Sequence, residues 1–376
     1  MRTATAVQAE THIDRVPIAA IDAAAYTVPT DAPESDGTIA WDRTTIVLVE
    51  VRAGDRCGLG YSYAHASAAA LIADTLAGVV AQRNAFDITG SHVAMVQAVR
   101  NLGRPGIASA AISAVDVALW DLKARLLDVP LVSLLGAARE GIAVYGSGGF
   151  TSYSIARLRE QLAGWIASGI RDVKMKVGRD PDQDPARVAQ ARQAIGDAAG
   201  LYVDANGGYD RKQAVALAAR FADQRVSWFE EPVSSDDLEG LRVVRDLAPT
   251  GMEIAAGEYG YDAMYFRRML AAGAVDVLQA DATRCCGVTG FLHAAALCDA
   301  WSLPLSAHTA PSLHVHLCCA APRARNLEYF HDHVRIEEML FDGAPHPAAG
   351  VLKPDRTRPG LGLALKRRDA ERFLHR

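Results

Sequence analysis

The chain has 376 residues, of which 50% are hydrophobic and 22% are charged, with 31 glycines and 16 prolines. This composition is typical of a globular protein and excludes a disordered chain. The formal net charge of −5 comes without a sustained run of lysine or arginine, so we expect no nucleic-acid partner.

No targeting or membrane segment is visible in the sequence. The N-terminus lacks a basic start followed by an apolar stretch of roughly 7–15 residues, and no window approaches the roughly 18 apolar residues of a membrane span. We therefore expect a cytoplasmic protein with no membrane partner. The six cysteines include no Cys-x-x-Cys motif, and we interpret them as small buried hydrophobic residues.

Residues 1–140 predict an α+β unit. Its expected elements are strands at 18–28 and 44–51, a polar loop at 29–42, and alanine-rich helices at 67–82 and 108–127. The basic stretch at 354–376 is loop-like and then helical. We expect it to pack back onto this unit, so that about 345–376 complete it.

Residues 141–344 predict a β/α barrel. Eight short apolar strands alternate with helical segments: 142–145, 172–177, 201–204, 227–230, 253–256, 275–279, 303–306 and 326–329. Such alternation indicates a parallel sheet with crossover helices, and eight units favour closure. The predicted fold class is α/β, a modified (β/α)8 TIM barrel with a smaller α+β domain.

Polar side chains stand at the carboxyl ends of the predicted strands, where the active site of such a barrel lies. Strand two ends in Lys174-Met-Lys176, and side-chain alternation directs both lysines into the barrel. The following strands deliver Asp204, Glu230 and Glu258 at separations of 204−176 = 28, 230−204 = 26 and 258−230 = 28, about one β/α unit each. The three carboxylates are therefore expected to converge.

Three converging carboxylates repel one another unless a cation lies between them. All-oxygen ligation without histidine or cysteine selects a hard divalent ion. We predict one Mg²⁺ per active site, with Mn²⁺ as the second choice, bound by Asp204, Glu230 and Glu258.

The later strands predict a proton-transfer pair. Asp281 and His308 are 27 residues apart, again about one β/α unit, so the carboxylate can orient the imidazole and raise its basicity. Glu328 on strand eight reaches the same mouth. A lysine on one side and an Asp-assisted histidine on the other suit removal of a C–H proton next to a carboxylate, with the metal stabilising the enediolate. We expect Lys174 and the metal to lower the pKa of Lys176.

These residues resemble the enolase superfamily and, within it, the mandelate racemase subgroup, which pairs a Lys-x-Lys motif with a His-Asp dyad. The segment from Ala111 to Gly136 looks like the family signature before the barrel, and the resemblance covers nearly the whole chain. It implies that the α+β unit caps the barrel and that loops at about 29–42 and 58–65 shape specificity. It also implies a homo-oligomer.

The resemblance implies a role for each matching position. Lys176 is one acid/base, Lys174 is its electrostatic neighbour and contacts the substrate carboxylate, and His308 with Asp281 is the second acid/base. Glu328 donates a hydrogen bond to the substrate carboxylate, which requires a protonated side chain with a raised pKa. The metal ligands are again Asp204, Glu230 and Glu258.

Three further features of the sequence are relevant to this resemblance. Tyr63 is either a substrate contact or an aromatic residue packed between the domains, and Asn206 is expected to support the lysines or the metal ligands. Arg284-Cys-Cys286 precedes Gly287 where many relatives have a glycine pair, which puts the shape of that loop in question. The pairs His314/His316 and His331/His333 are interpreted as structural or surface residues.

The expected substrate is a small-molecule carboxylate, and the expected chemistry is a lyase reaction. We predict dehydration of an acid sugar, an aldonate or aldarate, to a 2-keto-3-deoxy acid, because most relatives with this residue set are dehydratases and because Asp31, Glu34, Ser35 and Asp36 suit a polyol. The alternatives are a racemase or epimerase of a 2-hydroxy acid, or a cycloisomerase of a sugar acid lactone. A binding protein on a decayed barrel is disfavoured by the complete charged set.

Overall fold

A computed structural model describes residues 15–375 of the chain. The prediction about a targeting segment concerns residues 1–14, which, like Arg376, lie outside this range. Within 15–375, no helix is both long enough and apolar enough to cross a membrane. The chain forms a three-stranded antiparallel sheet with helices, followed by a closed barrel of eight parallel strands, as predicted.

The antiparallel sheet has the order β1 (Ile18–Ser35), β2 (Ala40–Ala53) and β3 (Arg56–Tyr63). Because side chains alternate along β2, its β-branched run serves two hydrophobic cores. Val47 and Val49 pack with the helices of the α+β unit, whereas Ile46 and Leu48 face the opposite way and join the large core of the barrel. The sheet thus attaches the α+β unit to the barrel.

The expectation of a loop over 29–42 is wrong for most of its length. β1 continues to Ser35, and the turn is confined to 36–39. The pairing with β2 is interrupted between Pro29 and Glu34 and resumes with Glu34 opposite Trp41. An irregular register lets a strand tolerate proline, which cannot donate to the ladder.

The helices of the α+β unit pack on this sheet. They are α1 (Ser67–Leu71), which continues through a π-helical turn (Ile72–Leu76) into α2 (Ala77–Val80), then α3 (Ile88–Ala98), α4 (Ile107–Leu126) and α5 (Leu131–Leu135). The predicted helix at 108–127 is confirmed as α4. It approaches β3 so closely that a Cβ on Gly60 would lie 2.2 Å from the carbonyl oxygen of Ala114.

Each of the eight predicted barrel strands is confirmed. They are β4 (Ile142–Gly148), β5 (Asp172–Lys176), β6 (Gly200–Asp204), β7 (Val226–Glu230), β8 (Glu253–Ala256), β9 (Val277–Ala280), β10 (Leu305–Ala307) and β11 (Ala324–Phe330). Each strand pairs in parallel with the next, and β11 pairs with β4 to close the ring. Inside the ring, Tyr145, Tyr202 and Trp228 pack together and fill the space between the strands.

Helices cover the outside of the barrel. They are α6 (Ile155–Ala167), α7 (Asp184–Ile195), α8 (Arg211–Ala222), α9 (Leu238–Leu247), α10 (Ala263–Ala271), α11 (Gly287–Trp301), α12 (Pro311–Ala320) and α13 (His331–Leu340). The remaining elements are β12 (Phe341–Asp342), β13 (Val351–Leu352), β14 (Ala364–Leu365), α14 (Arg367–Ala370) and a 3-10 turn (Glu371–Phe373). The chain then returns to the antiparallel sheet, where the amide of His375 donates to the carbonyl oxygen of Ala25 at 2.8 Å.

Candidate active site

Every strand of the barrel contributes to one buried cluster at the carboxyl end of the ring. The contributors are Ser147 from β4, Lys174 and Lys176 from β5, Asp204 from β6, Glu230 from β7, Glu258 after β8, Asp281 after β9, His308 after β10 and Glu328 from β11. All are at most 6% exposed. The spacing of about one β/α unit therefore brings the sequence-predicted polar set to one place.

Asp204, Glu230 and Glu258 form a carboxylate triad. Each offers one oxygen, and the three oxygens lie within 4.8 Å of one another. Oε2 of Glu258 is buried and accepts no well-directed hydrogen bond from any residue between 15 and 375, although Nε2 of His308 lies 3.2 Å away. Burial and the charge of Asp204 raise the pKa of Glu230 well above its ordinary value. A hard dication would supply the missing partner and offset this repulsion, so the triad fits Mg²⁺.

Two lysines lie against the triad. Nζ of Lys174, which is fully buried, is 2.5 Å from Oε1 of Glu230 and 2.9 Å from Oε1 of Glu328. Nζ of Lys176 is 2.5 Å from Oδ2 of Asp204. Met175 points the other way, into the core between the strands and the outer helices. Both lysines thus face the site, as side-chain alternation predicts.

The prediction of a lowered pKa for Lys176 is wrong when only the protein's own side chains act on it. Burial is the largest influence and lowers its pKa, as does the charge of Lys174, but the carboxylates of Asp204, Glu258 and Glu230 together outweigh them, so the net direction is upward. The sequence shows that two lysines are neighbours but not that an acid contacts one of them at 2.5 Å. A cation bound by Asp204 opposes this effect of the carboxylate.

His308 and Asp281 form the predicted dyad geometry. Nδ1 of His308 lies 2.8 Å from Oδ2 of Asp281. The opposite nitrogen, Nε2, is directed to the triad and lies 3.2 Å from Oε2 of Glu258. Burial would raise the pKa of Asp281, but its hydrogen bond to His308 and the nearby positive charge lower it well below the ordinary value. A carboxylate that stays ionised can orient the imidazole.

The pKa of Glu328 is lowered, whereas the resemblance implied a raised pKa. Burial acts to raise it, but the charges of Lys174, His308 and Lys176 outweigh burial and bring the pKa to about 2. In the structure Glu328 accepts hydrogen bonds, from the hydroxyl of Ser147 at 2.5 Å and from the amide of Thr309 at 3.2 Å. The expected donor is therefore an acceptor here.

The backbone is strained where several strands end. Asn206, Glu231, Thr309 and Ala310 have positive φ angles of 46°, 37°, 52° and 41°. Such conformations cost of order 1–3 kcal/mol each and concentrate at functional sites. The amide of Asn206 donates to Oδ1 of Asp204 at 2.9 Å, so Asn206 supports a member of the triad through its backbone.

Tyr63 lies between the α+β unit and the barrel. Its ring stacks on that of His333 with the centroids 3.3 Å apart. It also lines a cavity of about 900 Å³, whose other walls include His65, Tyr259 and Arg284. Tyr63 is therefore an aromatic residue packed between the two units and, at the same time, a wall of an open space beside the site.

Arg284, like Ser147, is a site residue that was not predicted from the sequence. Its Nη1 lies 3.1 Å from Oε1 of Glu258, and its Nε lies 3.7 Å from Oδ2 of Asp281. It therefore connects one triad carboxylate to the dyad and borders the cavity. The sequence does contain a signal for it, since Arg284 follows Asp281 by three residues and so lies in the turn after the same strand.

A second group of polar residues, Asp31, Glu34 and His331, joins the β1–β2 hairpin to the barrel mouth. Nε2 of His331 is 3.2 Å from Asp31, and Nη2 of Arg157 is 3.1 Å from the same carboxylate. Oε2 of Glu34 accepts a hydrogen bond from Trp41 at 2.8 Å. Asp31 already has a cationic partner, so we interpret this group as an ion-pair contact between hairpin and barrel.

Family models match the chain over two segments. Residues 20–136 match the N-terminal domain of mandelate racemase / muconate lactonizing enzyme, and residues 157–370 match the enolase C-terminal domain-like family. The chain belongs to the mandelate racemase/muconate lactonizing enzyme family of the enolase superfamily. The resemblance predicted from the strand-end residues is thereby confirmed.

Individual members of this family are similar over most of the chain. L-talarate/galactarate dehydratase of Salmonella typhimurium is 32% identical over 322 residues, covering 81% of this chain and 79% of the relative. The 3,6-anhydro-alpha-L-galactonate cycloisomerase of Streptomyces coelicolor is 34% identical over 331 residues, covering 85% and 89%.

Solved structures of this family superpose closely. A mandelate racemase/muconate lactonizing enzyme-like protein from Rubrobacter xylanophilus is 51% identical, with a TM-score of 0.94 over 96% of this chain and 100% of that one. The Salmonella dehydratase, crystallised with Mg and L-lyxarohydroxamate, has a TM-score of 0.89 at 28% identity, covering 100% of this chain and 96% of that one.

Proposed function

We propose that this chain is a Mg²⁺-dependent hydro-lyase that dehydrates an acid sugar, an aldonate or aldarate, to a 2-keto-3-deoxy acid. One observation carries the proposal: two groups able to move protons flank the carboxylate triad, Lys176 at Asp204 and His308 at Glu258. A substrate carboxylate held at the triad then has its α-carbon between them.

The metal-binding residues in this proposal are Asp204, Glu230 and Glu258. When bound there, Mg²⁺ supplies positive charge that stabilises the negative charge growing on the substrate carboxylate as the α-proton leaves. Lys174 binds the substrate carboxylate from the side. Its Nζ is positioned for this contact because it lies between Glu230 and Glu328, next to the triad. Ser147 and Thr309 hold Glu328 in place through hydrogen bonds.

The proton transfers belong to Lys176 and to the dyad. Lys176 takes the α-proton, and the electron pair of the C–H bond moves into the carboxylate to give the enediolate. His308 then donates a proton to the β-hydroxyl, the C–O bond breaks, and water leaves. The resulting enol becomes the 2-keto-3-deoxy acid. The two groups exchange roles if the α-proton of the substrate faces His308.

Dehydration is favoured over the alternatives by the similarity to the Salmonella talarate/galactarate dehydratase. The polar hairpin supports a polyol less strongly than its composition suggests, because Ser35 bonds to Thr151 at 2.6 Å and Asp36 accepts hydrogen bonds within its own turn. Cycloisomerisation has support in the Streptomyces relative. Racemisation or epimerisation uses the same first step. The cytoplasmic location and the homo-oligomer remain predictions.

The test is a substrate screen with the Mg²⁺-loaded protein. Aldonates and aldarates are incubated in turn, and 2-keto products are trapped with semicarbazide. We expect one group of related acid sugars to give a semicarbazone, and Lys176→Ala and His308→Ala to form it at least about 10²-fold more slowly. Inversion at the α-carbon without a keto product would replace the dehydratase by a racemase or epimerase, and no reaction with any acid would refute the substrate class.

A further inference from the structure

Two histidines of α12 are buried two residues apart and contact different parts of the molecule. His314 and His316 are 0% and 1% exposed. Nε2 of His316 lies 3.2 Å from the carbonyl oxygen of Leu361, in the C-terminal segment. His314 instead points to the turns that follow β9 and β10, on which the dyad stands. The proposed reaction uses neither histidine.

His314 links these two turns through their backbones. Its Nε2 accepts a hydrogen bond from the amide of Ala282 at 2.8 Å, and its Nδ1 lies 2.7 Å from the carbonyl oxygen of Thr309. Ala282 directly follows Asp281, and Thr309 directly follows His308. One imidazole therefore ties together the two peptide units that come immediately after the two dyad residues.

The hydrogen-bond partners determine the tautomer of His314. The amide of Ala282 is a donor, so Nε2 is unprotonated, and the carbonyl oxygen of Thr309 is an acceptor, so Nδ1 carries the proton. This neutral form has one donor and one acceptor at fixed positions on a rigid ring. Burial lowers the pKa of His314 and thereby favours the same form.

The turn after His308 needs such a constraint. Thr309 and Ala310 both have positive φ angles, 52° and 41°, which non-glycine residues adopt only when their surroundings hold them there. Nδ1 of His314 holds the carbonyl oxygen of Thr309, and the amide of His314 donates to the carbonyl oxygen of Ala310 at 3.0 Å. Both strained residues are thus fixed by the start of α12.

We infer that His314 is a positioning residue, whose neutral ring clamps the turns after Asp281 and His308 and so holds the imidazole of His308 toward the triad. The inference rests on the proposed function for the role of His308, but the clamp itself is a feature of the fold. Without it, the turn after His308 relaxes, and Nε2 leaves the position 3.2 Å from Glu258.

The central test compares His314→Leu with His316→Leu. Both changes remove a buried imidazole from the same helix. Solvent α-deuterium exchange and keto-product formation report the two halves of the reaction, and His308→Ala identifies the half that depends on His308. We expect His314→Leu to lower that half by about 10- to 100-fold, within the range of general acid–base catalysis. The other half and KM stay within about threefold, as do all values for His316→Leu.

A double-variant cycle separates positioning from general support of the fold. In a His308→Ala background, His314→Leu should cause no further loss in the rate of the His308-dependent half, because both changes remove the same contribution. Multiplicative losses in the double variant would refute the inference. Equal losses in both halves of the reaction, or equal losses for His314→Leu and His316→Leu, would also refute it.

A spectroscopic readout keeps the inference testable apart from turnover. The Nδ1–H proton of His308, bonded to Asp281, is assigned by its absence in His308→Ala. We expect this resonance to persist in His316→Leu and to disappear in His314→Leu, whether or not a substrate has been found. If the resonance persists in His314→Leu, the clamp is refuted. If the resonance is lost in His314→Leu while the wild-type protein is inactive on every acid sugar, only the proposed function is refuted. If His314→Leu does not fold, His314→Phe, which keeps an aromatic ring but has neither the donor nor the acceptor, serves with the same two outcomes.

Discussion

Lys176 illustrates how the charge of a catalytic side chain depends on its nearest neighbour. Burial and Lys174 lower its pKa, yet the carboxylate of Asp204, 2.5 Å away, together with Glu258 and Glu230 raises it overall. The residue must therefore lose its ion pair before it can accept a proton. The same contact places the amine beside the triad, where the α-carbon of a bound acid comes within its reach.

Replacing Lys176 by alanine should reduce turnover by about 10²- to 10⁴-fold, the usual contribution of general acid–base catalysis. The fold should persist, because the ring of barrel strands does not depend on the amine. Steady-state kinetics on the identified acid sugar measures this change. Lys212→Ala, at an exposed position of α8, is the matched control and should remain within about twofold. A similar loss in both variants would contradict the role of Lys176.

Glu34 gives a pH-dependent prediction. Burial and, next, the charge of Asp332 raise its pKa to about 8, so the folded state retains a proton that the unfolded state has lost. Wild-type stability should therefore decline as the pH rises from about 4.5 to about 8, by up to about 1.4 kcal/mol per pH unit from this group. Glu34→Gln removes this slope.

The stability advantage of Glu34→Gln over the wild type should consequently grow across that pH range and level off above it. Urea unfolding at several pH values measures it. Glu160→Gln, at an exposed position of α6, should show no such pH-dependent advantage. Parallel pH profiles for Glu34→Gln and the wild type would contradict the buried, protonated carboxyl.

At this scale the sequence predicted which residues meet but not how they pair. A spacing of about one β/α unit was sufficient to bring Asp204, Glu230 and Glu258 together, because parallel strands place their carboxyl ends at one edge. It could not predict that Glu328 accepts from Ser147 and lies 2.9 Å from Lys174, which gives it a lowered pKa. Such pairings depend on side-chain directions across the ring.

At the scale of elements, the close contact of β3 with α4 carries a prediction. A Cβ on Gly60 would lie 2.2 Å from the carbonyl oxygen of Ala114 and 2.4 Å from the amide nitrogen of Ala118. Both are backbone atoms and cannot turn aside. Gly60→Ala should therefore destabilise the protein by about 1–3 kcal/mol or prevent folding, as overpacking does.

Gly78→Ala is the matched control for this contact. Gly78 lies in α2, and a Cβ there meets no atom within 4 Å among the described residues. Alanine in a helix is favoured over glycine by roughly 0.5–1 kcal/mol, so this variant should be slightly stabilised. Thermal melts of both variants check the pair. An unchanged Tm for Gly60→Ala would contradict the close packing of β3 on α4.

The elements also show which features of the fold a local sequence pattern predicts and which it does not. All eight barrel strands were predicted, because each apolar run is short and followed by a helical pattern. The extension of β1 to Ser35 was not, since Pro29 and Pro33 indicate a loop, and the pairing of Glu34 with Trp41 is made across the hairpin. An interrupted register is decided by the partner strand and not by the strand's own residues.

For the whole molecule, a bound dication should stabilise the fold. The triad collects carboxylates from β6, β7 and the end of β8, and a cation bound between them relieves their mutual repulsion. Mg²⁺ should raise the Tm with increasing concentration, by an amount that corresponds to about 2.7 kcal/mol at a hundredfold excess over Kd. EDTA should reverse the shift.

Two asparagine variants identify the site of this effect. Asp204→Asn removes a triad ligand and should abolish the Mg²⁺-dependent shift in Tm. Asp31→Asn alters the other acidic group, at the β1–β2 hairpin, and should retain the full shift. If Asp31→Asn, and not Asp204→Asn, loses the response, the metal does not bind at the triad.

The central claim is that a substrate α-carbon lies between Lys176 and His308, and exchange of its proton tests this claim most directly. The Mg²⁺-loaded protein is incubated with acid sugars in D₂O, and α-deuterium and keto product are both followed by NMR. We predict that the variant without the base, Lys176→Ala in the proposed mechanism, loses α-deuterium and keto product together, and that the variant without the acid, His308→Ala, loses the keto product. If the Lys176→Ala, His308→Ala double variant incorporates α-deuterium and forms keto product at wild-type rates, the account is contradicted.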